Sequence, residues 1–152
     1  MTLINLIWVY GGLALATLVC AAACWWGGRA ERVCAATLWV AWVLTLLVQS
    51  HGAKGPGDQV ILIDTACLVI FTALSLKERR MWILLIAASQ LDDVTSHFAA
   101  RMFHYGLWSY IVVTGIWGGH FILGCLVVAT IGYRLRLRRE AAAPARLTAS
   151  AG

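Results

Sequence analysis

Long apolar runs alternate with short polar breaks along almost the whole chain. Five runs stand out, at about residues 3–26, 33–49, 60–76, 81–100 and 107–133. A helix crosses the hydrocarbon core of a bilayer in about 17–25 residues, so each run is long enough to span. The second and third are at the short end, and the fifth has length to tilt or protrude. Lipid offers the backbone no hydrogen-bond partners, so an open-chain segment that spans it must be helical. The breaks, 27–32, 50–59, 77–80 and 101–106, are too short to fold alone. The break at 50–59 reads SHGAKGPGDQ, a Gly/Pro turn region. The pattern predicts an all-α fold: a polytopic transmembrane bundle of five helices in one domain, 1–133. A basic, Ala-rich tail, 134–152, is expected to be disordered or to lie on the membrane surface.

Composition agrees. Hydrophobic residues make up 61% of the 152 and charged residues 12%, and mean hydropathy is +0.80. A soluble domain of this size has too much surface per volume to hide so much apolar material. The first run lacks the positive leader of a signal peptide, and Val19 before Cys20 is too bulky for a lipoprotein cleavage site, so the run reads as a retained helix. The five cysteines (Cys20, Cys24, Cys34, Cys67 and Cys125) all fall inside apolar runs, where Cys acts as a small hydrophobe. Cys20 and Cys24 do not have a CxxC spacing.

The net charge is +5, but the basic residues cluster between apolar runs, which is a topology signal rather than a nucleic-acid footprint. Alternating the runs across a bilayer puts Arg29, Arg32, Lys77, Arg79, Arg80, Arg134, Arg136, Arg138, Arg139 and Arg146 on one side. Only Lys54 and Arg101 fall on the other. Cytoplasmic loops collect Lys and Arg, so the expected orientation is N-terminus out and C-terminus in. The expected location is a bacterial inner membrane, with anionic lipid at the basic tail. Trp8, Tyr10, Trp25, Trp26, Trp82, Trp108, Tyr110 and Tyr133 fall near run ends as an interfacial belt. Trp39, Trp42 and Trp117 lie deeper.

The fourth run is out of place in lipid. It carries Gln90, Asp92, Asp93, Thr95, Ser96 and His97. Two central Asp cost about +5 to +7 kcal/mol on the insertion scale, against about −2 to −4 from the Leu, Ile, Val and Phe of the run. Such a helix has to be sheltered by its neighbours. A four-span alternative, with 81–106 lying on one face, would place Arg134–Arg139 outside and contradict the charge rule.

Ionisable residues within a membrane segment are functional candidates by default. Gln90, Asp93, His97, Arg101 and His104 follow spacings of three and four and share one helix face, with Asp92 and Ser96 beside it. At about 1.5 Å per residue, His97 lies roughly 5 Å below the outer end of its run and Asp93 roughly 10 Å. Asp64 on the third run lies roughly 6 Å below the same surface, and His120 sits mid-way along the fifth. These groups predict an outward-facing ligand or proton pocket of Asp64, Gln90, Asp92, Asp93, His97 and His120, with His51 in the nearby loop. Structural readings stand beside this one. Asp64 caps a helix, Asp93 and His97 pair locally, and His120 bonds a backbone carbonyl. Gly115 and Gly119 form a GxxxG packing motif within a cluster that includes Gly118 and Gly124.

A mixed carboxylate–imidazole set can relay protons, bind a cation or hold a polar headgroup. If a metal is held, the expected ligands are Asp93, His97 and His120, which suit a borderline ion such as zinc. Asp92 and Asp93 cannot both point at one ion, because adjacent helix residues diverge by about 100°. Four His are too few for a di-iron enzyme with His boxes. The GxGD, GxSG and Asp-Gly patterns of aspartyl proteases, rhomboid proteases and alcohol phosphatidyltransferases are missing. His97 and His120 differ in depth by roughly 10 Å, which disfavours bis-His haem. The leading expectation is an accessory subunit or small transport or ligand-binding unit, associated with other membrane subunits or with itself. The alternative is a small membrane enzyme acting on a lipid or quinone-like substrate. Alkaline phosphatase fused after Arg139 is expected to be inactive and fused at Gly55 active; the reverse pattern, or activity at both, contradicts the five-span orientation.

Overall fold

A computed structural model describes residues 3–48, 57–103 and 114–149. The described residues are helical and contain no strand. The helices are α1 (Leu3–Trp26), α2 (Arg29–Val48), α3 (Asp58–Glu78), α4 (Met81–Phe103) and α5 (Ile122–Ala149). A π-helical stretch, Thr114–Phe121, runs directly into α5. Three helices are long and apolar enough to cross a membrane: Arg29–Val48, Asp58–Glu78 and Thr114–Ala142. The described part of α1 adds a shorter apolar helix, Tyr10–Trp26. α4 is not among the three, as its polar residues predict.

The burial pattern is inverted relative to a water-soluble bundle. Small residues fill the contacts of α1 and α2: Ala16, Cys20, Ala23, Ala30, Cys34, Ala35 and Ala41 are all buried. Large apolar side chains point outward, with Leu18, Leu47, Leu62 and Leu76 each at least 70% exposed. Small residues let helix backbones approach where lipid, rather than water, surrounds them. Phe71, Ile83, Ile86, Ile122 and Leu126 are fully buried and join α3, α4 and α5 in the centre. Thr17, Thr65, Thr95 and Thr130 donate to the carbonyls four residues earlier, so these hydroxyls need no water.

Tight turns at one end set the order of the helices. Between α1 and α2 the chain passes through Gly27 and Gly28. A Cβ on Gly28 would stand 2.8 Å from the Tyr133 ring of α5 and 2.9 Å from Glu31 Oε2, and one on Gly27 would overlap Ala23 O. α3 ends in the left-handed conformation at Arg79 (φ 51°, ψ 39°), whose N–H donates to Ser75 O at 2.9 Å. This cap reverses the chain within two residues. It delivers Arg80 to the carboxylate of Glu31, Nη1 to Oε1 at 2.9 Å. Arg29, Arg32, Lys77, Arg79 and the arginines 134–139 of α5 therefore gather at the end of the bundle where these two turns meet.

Several boundaries differ from the apolar runs. α2 begins at Arg29 rather than 33, because its buried polar residue, Glu31, has found Arg80. The tail, expected to be disordered or to lie on the membrane surface, is helical through Ala149, in keeping with its Ala, Leu and Arg content. Residues 49–56, with His51 and Lys54, and 104–113, with His104, Trp108 and Tyr110, lie outside the described residues.

Breaking a buried ion pair by removing one partner costs about 3–5 kcal/mol. Glu31 is 1% exposed but Arg80 is 32% exposed and partly screened, so Arg80→Met is expected to cost toward the lower end. The double variant Glu31→Gln/Arg80→Met should recover most of the loss in unfolding measured in detergent. A double variant less stable than Arg80→Met contradicts this account.

Candidate functional site

α4 presents one continuous buried stripe: Ile83, Ile86, Gln90, Asp93 and His97. The spacings alternate between three and four, so all five lie along the inward face. The stripe is apolar near the basic end of the bundle and polar beyond it. Gln90, Asp93 and His97 are 3%, 7% and 2% exposed, which makes them interior groups rather than a solvated face.

α3 supplies the partner. His97 Nε2 lies 2.7 Å from Asp64 Oδ2, a salt bridge when the imidazole is protonated. Gln90 turns its amide toward the same residue, with Nε2 3.4 Å from Asp64 O and 3.5 Å from Asp64 Oδ1. Asp93 completes the group: Asp64, Asp93 and His97 each offer a ligand atom, all within 4.8 Å of one another. One oxygen of Asp93, Oδ1, is buried without a hydrogen-bond partner.

The π-helical stretch closes the other side. A Cβ on Gly118 would stand 2.5–2.7 Å from the carboxylate atoms of Asp93, so only glycine lets this backbone approach so near. Ser89 Oγ donates a short hydrogen bond to Trp117 O and ties α4 to the same stretch. Gly119 meets the Trp42 ring of α2, where a Cβ would be 3.2 Å away; Gly12 of α1 meets the same ring at 3.3 Å. Trp42 is thus a wedge between three elements.

The structure regroups the sequence candidates. It brings Asp64, Gln90, Asp93 and His97 together. Asp92 does not join them: it is exposed on the outer face of α4, because the helix turns it about 100° away from Asp93. His120 does not join the metal-type group either, and Asp64 takes the place expected for it. The π-helical geometry directs His120 Nδ1 to Gly115 O at 2.6 Å, so Gly115 contributes through its carbonyl. Gly119 is the member of the GxxxG pair seen against a neighbouring helix. His104 and the Arg101 side chain lie outside what is described. Two features escaped sequence reasoning: the Asp64–His97 pairing, signalled by their equal depths, and the Gly118 approach, signalled by the glycine cluster. Glu31 was also missed; its signal was a lone acid among the arginines of the first break.

Two carboxylates and an imidazole brought this close together can hold a proton or a cation. No protein-family model, curated protein or solved structure matches the chain.

Gly118→Ala is expected to push α4 from the π-helical stretch and cost about 1–3 kcal/mol, as overpacking does. Gly124→Ala, where nothing lies within 4 Å of the added Cβ, should be neutral or mildly stabilising. Equal thermal stability of the two variants in detergent contradicts a close approach at Gly118.

Proposed function

We propose that this chain is a small multi-pass inner-membrane protein whose Asp64–Asp93–His97 group, supported by Gln90, is an outward-facing site for a proton or small cation. Its N-terminus faces outward, and the basic end of the bundle faces the cytoplasm against anionic lipid. It works as an accessory subunit or small transport unit, beside other membrane subunits or further copies of itself.

The observation that carries this reading is the buried carboxylate of Asp93, one oxygen unpartnered, held beside a second carboxylate and an imidazole. A buried polar oxygen left unsatisfied costs about 1–3 kcal/mol, and more when it is charged. Glu31 Oε2 is likewise buried without a hydrogen-bond partner, but Arg80 neutralises that carboxylate, whereas no Lys or Arg among the described residues pairs with Asp93; intramembrane ionisable groups mark ion and proton pathways. The uneven distribution of Lys and Arg supports the orientation. The apolar stripe of Ile83 and Ile86 between the site and the basic end supports access from one side only.

In a cysteine-free background, His97→Cys and Asp93→Cys are expected to react with a membrane-impermeant thiol reagent added outside. Labelling at 97 should be faster, because it lies nearer the surface. Leu85→Cys, on the lipid-facing side, should resist, because the reactive thiolate forms only where water reaches. Equal resistance at all three positions contradicts an outward-open site.

A further inference from the structure

We infer that the occupant of this site is a single divalent transition-metal ion of the zinc type, held by Asp64, Asp93 and His97 with one coordination position left open. The inference rests on the reading of the site given above and narrows it from any small cation to one chemical class.

The donor set selects the class. An imidazole nitrogen among two carboxylates disfavours magnesium and calcium, which take oxygen ligands and six or more of them. Imidazole with carboxylate suits zinc and its first-row neighbours, and three protein ligands with an open fourth position is the arrangement of zinc sites that exchange or react.

The geometry is close to what such an ion needs. Zinc–ligand distances of about 2.0–2.2 Å put tetrahedral ligand atoms about 3.3–3.6 Å apart. Here the ligand atoms lie within 4.8 Å of one another. The nearest pair, His97 Nε2 and Asp64 Oδ2, would open from 2.7 Å as the metal replaces their shared proton.

Charge argues the same way. Among the described residues no Lys or Arg pairs with Asp64 or Asp93; the ion pairs are Arg80–Glu31 and His97–Asp64. Two ionised carboxylates with a neutral imidazole carry two negative charges, which one divalent ion cancels. The surroundings are those of a supported metal site: Gln90 reaches Asp64, a contact that orients a ligating carboxylate, and Gly118 holds the other flank of Asp93.

The full chain, purified in detergent and stripped with a chelator, is titrated with Co²⁺ and then Zn²⁺. One Co²⁺ per chain should bind with visible d–d bands of a low-coordinate nitrogen/oxygen site and no near-ultraviolet thiolate band, and Zn²⁺ should displace it. Millimolar Mg²⁺ or Ca²⁺ should not compete. Gln90→Ala, which leaves all three ligands in place, should weaken binding about 10–100-fold; Asp93→Asn and His97→Gln should weaken it at least as much. Asp92→Asn, on the outer face, should leave it unchanged. Helical circular dichroism shows which variants are folded. Absence of the Co²⁺ bands in the folded chain, a thiolate band, or undiminished affinity in folded Gln90→Ala and Asp93→Asn overturns the inference. If metal binding fails while position 97 still labels from outside, the metal class falls and the proton or monovalent-cation site stands. If both fail, the wider reading falls with it.

Discussion

A carboxylate taken out of water has to be given a proton, a cation or a set of donors, and the fold around Asp93 is organised by that requirement. Asp93 lies on the inward face of α4 at 7% exposure, with α3 on one side and the π-helical stretch on the other. α3 brings a second acid, Asp64, rather than a base. The π-helical stretch brings a bare glycine backbone rather than a donor side chain. Nothing described neutralises Asp93 outright, yet the helices pack around it as closely as they can. α4 is also the helix with the least favourable insertion energy. Its stability in a bilayer comes from being enclosed by α3, α5 and the π-helical stretch, so the site and the packing of its helix are one problem.

The two ends of the bundle solve the burial of charge differently. At the basic end, Glu31 is enclosed by Arg80, Gly28 and the Tyr133 ring, and its ion pair links the two turns that set the order of the helices. That pair is self-neutral. At the polar end the Asp64–His97 pair is self-neutral only when the imidazole is protonated, and Asp93 has no Lys or Arg partner among the described residues. Between them, Phe71, Ile83, Ile86 and Leu126 form a fully buried apolar layer. Water bridging the two ends would have to cross that layer. A structural ion pair therefore sits on one side of an apolar seal and the Asp64–Asp93–His97 group on the other.

How much of this was legible in the chain depends on the range of the interaction. The five apolar runs and their helical state follow from lipid alone, with no knowledge of neighbours, and the structure returns five helices. The inward stripe of α4 follows from its own periodicity. What could not be read is what lies across from that stripe. Asp64 and His97 are matched in depth, but depth does not fix rotation, and local spacing suggested Asp93 as the partner of His97. Asp92 was grouped with the pocket because it adjoins the stripe, although helical rotation turns it outward. His120 was placed by assuming ordinary α-helical rise and turn through residues 114–121. The wider, i→i−5 turn of the π-helix places its ring against Gly115 O and Gly118 against Asp93. Glycines at 115, 118 and 119 weaken the local preference for an α-helix, but no one-dimensional pattern marks where the ladder shifts.

The arithmetic of charge at the polar end limits the states the site can adopt. In a low-dielectric interior the neutral assemblies are strongly favoured, because each uncompensated charge carries a large solvation cost. One metal-free and one metal-bound neutral assembly of Asp64, Asp93 and His97 bear on the site. In the first, His97 is protonated against ionised Asp64, and Asp93 carries a proton. In the second, both carboxylates are ionised, the imidazole is neutral, and one divalent cation binds all three. The first holds two more protons than the second. Passing between them exchanges one divalent ion for two protons without leaving net charge behind, which is the usual link between metal binding and proton release confined to three side chains. A monovalent cation has a neutral state too, with only one of the two protons displaced, but it would leave the nitrogen donor without a use. Charge balance thus admits either ion, and the donor set is what favours the proposed divalent one.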